Sequence, residues 1–149
     1  MITVKEVKTR RDARKFVELP LKMYRGCKWF VPPIYSDEMK LFKKERPYSD
    51  VADSTCFIAE RDGEVVGRIQ AIIQRQYNEL HGEKRVRFSR FDAIDDTEVS
   101  RALFAAVEEY GRVHGMDTMC GPLGFSDLDR EGMLIEGFEY ESTFEEQYN

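Results

Sequence analysis

The chain of 149 residues is 42% hydrophobic and 12% aromatic, enough for the core of one domain, and its 34% charged residues are mixed in sign, which excludes an intrinsically disordered polymer. A formal net charge of −5 argues against a general nucleic-acid binder. No apolar run approaches the ~18 residues of a membrane span and no N-terminal stretch has the signal-peptide pattern, while three widely spaced cysteines and two histidines offer neither a metal-ligand spacing nor a disulfide framework. A cytoplasmic protein with reduced thiols, no metal, and no membrane or nucleic-acid partner is expected. The charge is unevenly spread. Residues 1–50 hold 13 Lys+Arg against 7 Asp+Glu, a net of +6, whereas residues 101–149 hold 3 against 11, a net of −8. The basic first third either attracts an anionic ligand such as a nucleotide or is a solvated helix face.

Taken in chain order, residues 2–7 alternate and predict a first strand. Thr9 stands three residues before Asp12, the spacing of a capping box, and Ala13, Phe16, Val17, Leu21 and Tyr24 follow at helical intervals. Pro20 lies inside that helix; it lacks an N–H and crowds the preceding turn, so a kink or split is expected there. Residues 26–33 (GCKWFVPP) read as a loop, and 34–42 predict a second helix. A hairpin is predicted over 55–60 and 65–74, with Asp62-Gly63 supplying the two positive φ angles of a type I′ turn. Residues 77–85 read as a polar loop, and the next strand starts near Val86.

That strand carries an irregularity. Val86 and Phe88 share a face, and so do Phe91 and Ala93, but the phase slips by one residue between the pairs. The slip marks either a β-bulge near Ser89 and Arg90, or noise in the pattern with Arg90 reaching to solvent. Asp95 is placed to cap a helix, with Glu98 three positions on. The apolar stripe Val99, Ala102, Leu103, Ala106, Val107 and Tyr110 follows, and Gly115 ends it. Residues 118–123 predict a short strand. Strand, helix, strand at this spacing predicts parallel pairing of the two strands.

This order of elements, over residues 1–123, resembles the GNAT N-acetyltransferase fold. WFVPP at 29–33, DGEVVGRI at 62–69 and GPLGFSDLDREGMLIEGF at 121–138 resemble, more narrowly, a divergent family of bacterial GNAT-like proteins. The resemblance implies an α/β (α+β) class: a mixed, mostly antiparallel sheet flanked by helices in one domain over 1–149. In such proteins the last motif precedes a Tyr- and Asn-rich stretch, a helix and two more strands. On that pattern the sheet is expected to be truncated after its fifth strand. Two expectations compete for the resulting free edge: residues 139–149 fold back over it, or it pairs with a second copy of the chain. Met133, Leu134, Ile135 and Phe138 favour the homo-oligomer.

The resemblance further implies an acyl-CoA-dependent N-acyltransferase, with acetyl-CoA or another acyl-CoA as donor and a small-molecule or peptide amine as acceptor. In GNAT proteins the pantetheine arm lies on backbone exposed where the fourth strand splays from the fifth, and the pyrophosphate sits at the N-terminus of the following helix. Carried over, this assigns Phe91, Asp92 and Ala93 to the arm and Thr97, Glu98 and Val99 to the phosphates. The family signature Q/R-x-x-G-x-G/A is replaced here by IDDTEV at 94–99, without glycine and with three carboxylates that repel a pyrophosphate. A non-catalytic GNAT-fold binding or interaction module is therefore the competing expectation. Acylating an amine needs a base and donors to an oxyanion. Of Asp92, Asp127, Asp129 and Glu136, Asp92 beside the irregular strand is the candidate catalytic residue; His81 and His114 read as surface groups. Gly124, Phe125, Ser126 and Asp127 are the candidate substrate-binding loop, or else a tight turn that lays Phe125 on the core.

Overall fold

Five strands, β1 (Ile2–Glu6), β2 (Ala52–Arg61), β3 (Glu64–Gln74), β4 (Arg85–Ala93) and β5 (Thr118–Cys120), hydrogen-bond in that order into one sheet in the computed structural model, which describes residues 1–141. The first four run antiparallel to their neighbours, and β5 joins β4 in parallel. Helix α1 (Arg10–Met23), the single turn α2 (Tyr35–Glu38) and the 3-10 turn Met39–Phe42 cover one face; α4 (Thr97–Val113) covers the other. The predicted mixed sheet and parallel β4–β5 pair are both present. The fold-back proposed for 139–149 falls largely on 142–149, outside the described residues.

Strand alternation divides the core. Ala59, Ile69, Ala71, Ile73, Val86 and Phe88 pack with Val99, Leu103 and Val107 of α4. On the opposite face Cys56 and Ile58 meet Phe16 and Val17 of α1, and Ala52 and Ile72 meet Leu41 and Phe125. Burial pushes the Cys56 thiol up to about 12, so it behaves as a small apolar side chain.

Local signals account for most element boundaries. Thr9 Oγ1 accepts from the Asp12 N–H at 3.1 Å, and its hydroxyl donates to Asp12 Oδ2 at 2.7 Å. Asp62 and Gly63 take φ of 52° and 84° between β2 and β3, as the I′ turn requires. Gly115 adopts φ of 76° just past α4.

Four expectations need correction. Helix α1 is not split at Pro20 but continues through it to Met23. The carbonyl that Pro20 cannot serve, that of Phe16, instead accepts from Arg68 Nη1 at 2.9 Å, so the proline leaves no orphan acceptor. Residues 34–42 form an α turn followed by a 3-10 turn, not one helix. Part of the expected polar loop is helix α3 (Arg75–His81), closed by Gly82 at φ of 65°. So short a polar helix depends on tertiary contacts: Asn78 Nδ2 donates to Arg85 O at 2.8 Å, and the Arg87 guanidinium lies 4.8 Å from the Tyr77 ring centroid. The cap of α4 is Asp96, not Asp95, because Asp96 has the extended backbone that lets its Oδ1 accept from Glu98 N–H at 2.8 Å.

Candidate functional site

The phase slip in β4 is a β-bulge. Gln70 pairs with Ser89 and Arg68 with Asp92, so Arg90 and Phe91 together oppose the single Ile69. Arg90 absorbs the extra residue at φ of 47°, a left-handed conformation that costs a non-glycine residue about 1–2 kcal/mol. Its guanidinium is held by both oxygens of Glu38, each at 3.0 Å, and by Gln70 Oε1 at 2.7 Å. The shift in phase turns Phe88 and Phe91 to the same face, where both pack on Phe104 with ring centroids 5.0 and 4.9 Å away.

Beside the bulge the sheet opens. β5 pairs with β4 only over Arg85, Val86 and Arg87; Leu123 N–H then donates to Phe88 O at 2.9 Å, and pairing stops. Ile94 N–H donates to Val66 O at 3.0 Å. By strand alternation the backbone groups of Phe91 and Ala93 therefore face away from β3, toward the side that β5 has left.

A cavity of about 600 Å³ lies against this stretch. Its walls come from Pro20 and Tyr24 of α1, from Phe30 to Ile34, from Ser89 to Ala93, and from Leu128 to Arg130 with Gly132 to Leu134. Its floor is ionic. Asp92 Oδ2 accepts from Arg68 Nε at 2.7 Å and its Oδ1 from the Tyr24 hydroxyl at 2.6 Å. Burial alone would raise the Glu38 pKa, but the Arg90 guanidinium overrides it and holds that carboxyl below its ordinary value. A depressed carboxyl contributes stability that is complete above the ordinary carboxylate pKa and is lost as pH falls through the depressed one. The melting-temperature gap between the native protein and Glu38→Gln is thus expected to be widest near neutrality and to narrow as buffers are stepped down through the acid range.

Of the residues proposed from sequence, Phe91, Asp92 and Ala93 line the cavity. Thr97 and Glu98 are exposed at the start of α4, and Val99 is fully buried in the α4 core. Gly124, Phe125, Ser126 and Asp127 do not line it. Phe125 is buried beside Leu41 and Ile72 and stacks on Tyr48, Gly124 O accepts from Arg87 Nη1 at 3.1 Å, and Asp129 Oδ2 accepts from the N–H groups of Phe125 and Ser126. In this arrangement the turn lays Phe125 on the core. His81 stacks on Tyr77, and His114 Nδ1 contacts Tyr110 O. Sequence reasoning missed Tyr24, Glu38, Arg68 and Arg130. The available signal was Arg68 and Gln70 alternating with Ile69 and Ala71, which puts polar groups on one face of an otherwise apolar strand.

The resemblance read from the sequence implies a coenzyme A thioester, and the residues fit it only in part. The free backbone of Phe91 and Ala93 suits the amide-bearing pantetheine arm. The start of α4 does not suit the diphosphate: Asp96 already accepts from Glu98 N–H, and Arg61 Nη2 is drawn to Asp96 Oδ2 at 2.5 Å and Glu98 Oε2 at 3.8 Å. The hydrogen bond from Arg61 holds the Asp96 carboxyl below its ordinary pKa, so it stays charged where an anion would have to sit. Among the described residues no helix is long and apolar enough to cross a membrane.

No family model matches the chain. It is 30% identical over 130 residues to Protein YghO of Escherichia coli (strain K12), covering 87% of this chain and 33% of the relative. It is 31% identical over 140 residues to the bacterial ceramide synthase of Caulobacter vibrioides, covering 93% and 36%. The chain thus spans about a third of the length of the curated relatives it matches. Among solved structures, a tandem GNAT protein from the clavulanic acid biosynthesis pathway superposes with a TM-score of 0.62 at 18% identity, over 80% of this chain and 35% of that one. AAC(6')-Iy, in complex with a CoA-linked acetylneamine bisubstrate analog, gives 0.59 at 17% identity, over 85% and 82%. A predicted acetyltransferase from Clostridium acetobutylicum with acetyl-CoA gives 0.57 at 9% identity, over 80% and 79%. With its antiparallel strands, its parallel β4–β5 pair and these superpositions, the chain has a GNAT-like fold.

Proposed function

We propose that the chain supplies the donor and acceptor cleft of an N-acyltransferase, which joins an acyl group from acyl-CoA or a related pantetheine thioester to a small amine. One observation carries this reading: the free backbone edge of β4 and the 600 Å³ cavity meet at the same bulge. An arm laid along Phe91 and Ala93 places its thioester end at the cavity, where an amine can approach. Asp92, with both oxygens engaged, acts as a positioning residue that orients the Tyr24 hydroxyl. The names of the similar proteins support the reaction type. A ceramide is a fatty amide of a long-chain amino alcohol, so the Caulobacter relative's name and the acetylneamine analog both point to amide formation on an amine.

The test is calorimetric titration of the chain with S-octanoyl-pantetheine and with octanoyl-CoA. Comparable affinity for the two is expected, because α4 offers the diphosphate nothing. Binding of neither overturns the proposal. It would leave a non-catalytic GNAT-fold module, the reading favoured by the carboxylates of Asp95, Asp96 and Glu98.

A further inference from the structure

The cavity gathers three guanidinium groups, from Arg68, Arg90 and Arg130. Two are matched: Arg68 by Asp92, Arg90 by both oxygens of Glu38. The other lining carboxylates have partners of their own. Asp37 Oδ1 holds Lys40 Nζ at 2.7 Å, and Asp129 Oδ2 accepts from the N–H groups of Phe125 at 2.8 Å and Ser126 at 3.3 Å. Arg130 makes no hydrogen bond or ion pair among the described residues. Burial pushes its pKa down; the charges of Glu38 and Asp92 oppose this, and those of Arg68 and Arg90 add to it. A half-buried guanidinium with five N–H donors and no acceptor is unfavourable unless something brings oxygens to it.

The surroundings say what kind of molecule that is. The rim is apolar and open: Leu128 is 93% exposed, Ile34 68%, Val31 59% and Met133 45%, and all four line the cavity. An apolar rim around an unmatched guanidinium suits an amphiphile, with a hydrocarbon part on the rim and an anionic group inside. Guanidinium recognises planar carboxylate or phosphate oxygens in a forked, paired geometry.

We propose that Arg130 is the anchor of an anion site, and that the amine acceptor is an amphiphile carrying a carboxylate or a phosphate. The amine rests on the acyl-transfer reading above; the anion site rests on the unmatched guanidinium alone.

Three amide products serve as probes on the full chain by calorimetry: N-octanoylglycine, the phosphate monoester of N-octanoylethanolamine, and neutral N-octanoylethanolamine. At least one anionic compound is expected to bind about 10-fold to 100-fold more tightly than the neutral one, the range of a charge-assisted hydrogen bond. Whichever of the two gains more identifies the anion as carboxylate or phosphate. Arg130→Met is expected to erase that preference while leaving binding of the neutral amide unchanged, and Arg130→Lys to restore part of it. Since Arg130 makes no hydrogen bond or ion pair among the described residues, an unchanged melting temperature in both variants is the accompanying control; a loss of preference accompanied by unfolding counts against the site. Equal binding of all three probes overturns the anion site and leaves the acyl-transfer reading standing. Binding of none overturns both.

Discussion

Asp92→Ala is expected to destabilise the protein by about 3–5 kcal/mol, the cost of stranding one member of a buried ion pair. The Arg68 side chain is only 5% exposed and that of Asp92 13%, so water reaching the cavity floor replaces the lost carboxylate poorly. Two other groups depend on the pair. Arg68 also serves the Phe16 carbonyl left open by Pro20, and Tyr24 donates to the second oxygen of Asp92. The loss therefore reaches α1 at Phe16 and at Tyr24, the residue that caps its C-terminus. Asp92→Asn should cost less, because its amide oxygen still accepts one of these bonds. Arg68→Met combined with Asp92→Leu should recover much of the stability by removing both charges, leaving as residual cost the lost bonds to the Phe16 carbonyl and from the Tyr24 hydroxyl. Urea unfolding of the four proteins measures this. An unchanged midpoint for Asp92→Ala would show that the pair is hydrated and that the cavity floor is not a buried ionic layer.

Leu103→Ala is expected to cost about 2–5 kcal/mol, toward the upper end. Leu103 is fully buried, and α4 sits unusually close to β3 at this point. A Cβ built on Gly67 would lie 2.8 Å from Leu103 Cδ1 and 2.9 Å from Val99 Cγ1, so the absence of a side chain at Gly67 is what lets the helix settle there. The floor beneath Leu103 is sheet backbone, which cannot collapse into the space left by the missing carbons, so a void remains. Chemical denaturation reads the change directly. No shift in midpoint would mean that the stripe of α4 does not face the sheet. Because α4 lies on the face opposite the cavity, ligand binding measured well below the melting temperature should be unaffected.

By itself the sequence determined several features whose cause lies within a few residues: the Thr9 cap, the Asp62-Gly63 turn and the stripe from Val99 to Val107; it also showed the phase slip, with a bulge at Arg90 as one of two readings. These follow from side-chain spacing and from backbone angles that neighbouring residues impose. The element order that these signals delimit was enough to reach the GNAT-like fold and to place Phe91, Asp92 and Ala93 beside the split in the sheet. Tertiary structure alone decided the rest. The Phe16 carbonyl that Pro20 leaves open is served by a guanidinium from β3, and helix 75–81 is tied down where Asn78 meets Arg85 and Met116. The cavity shows the same limit more sharply. Tyr24, Glu38, Arg68, Arg90 and Arg130 come from five separate segments, and each alone reads as an ordinary surface charge or helix residue. Which of them are matched and which is left without a partner is set by distances between segments far apart in the chain, and no local pattern encodes those distances.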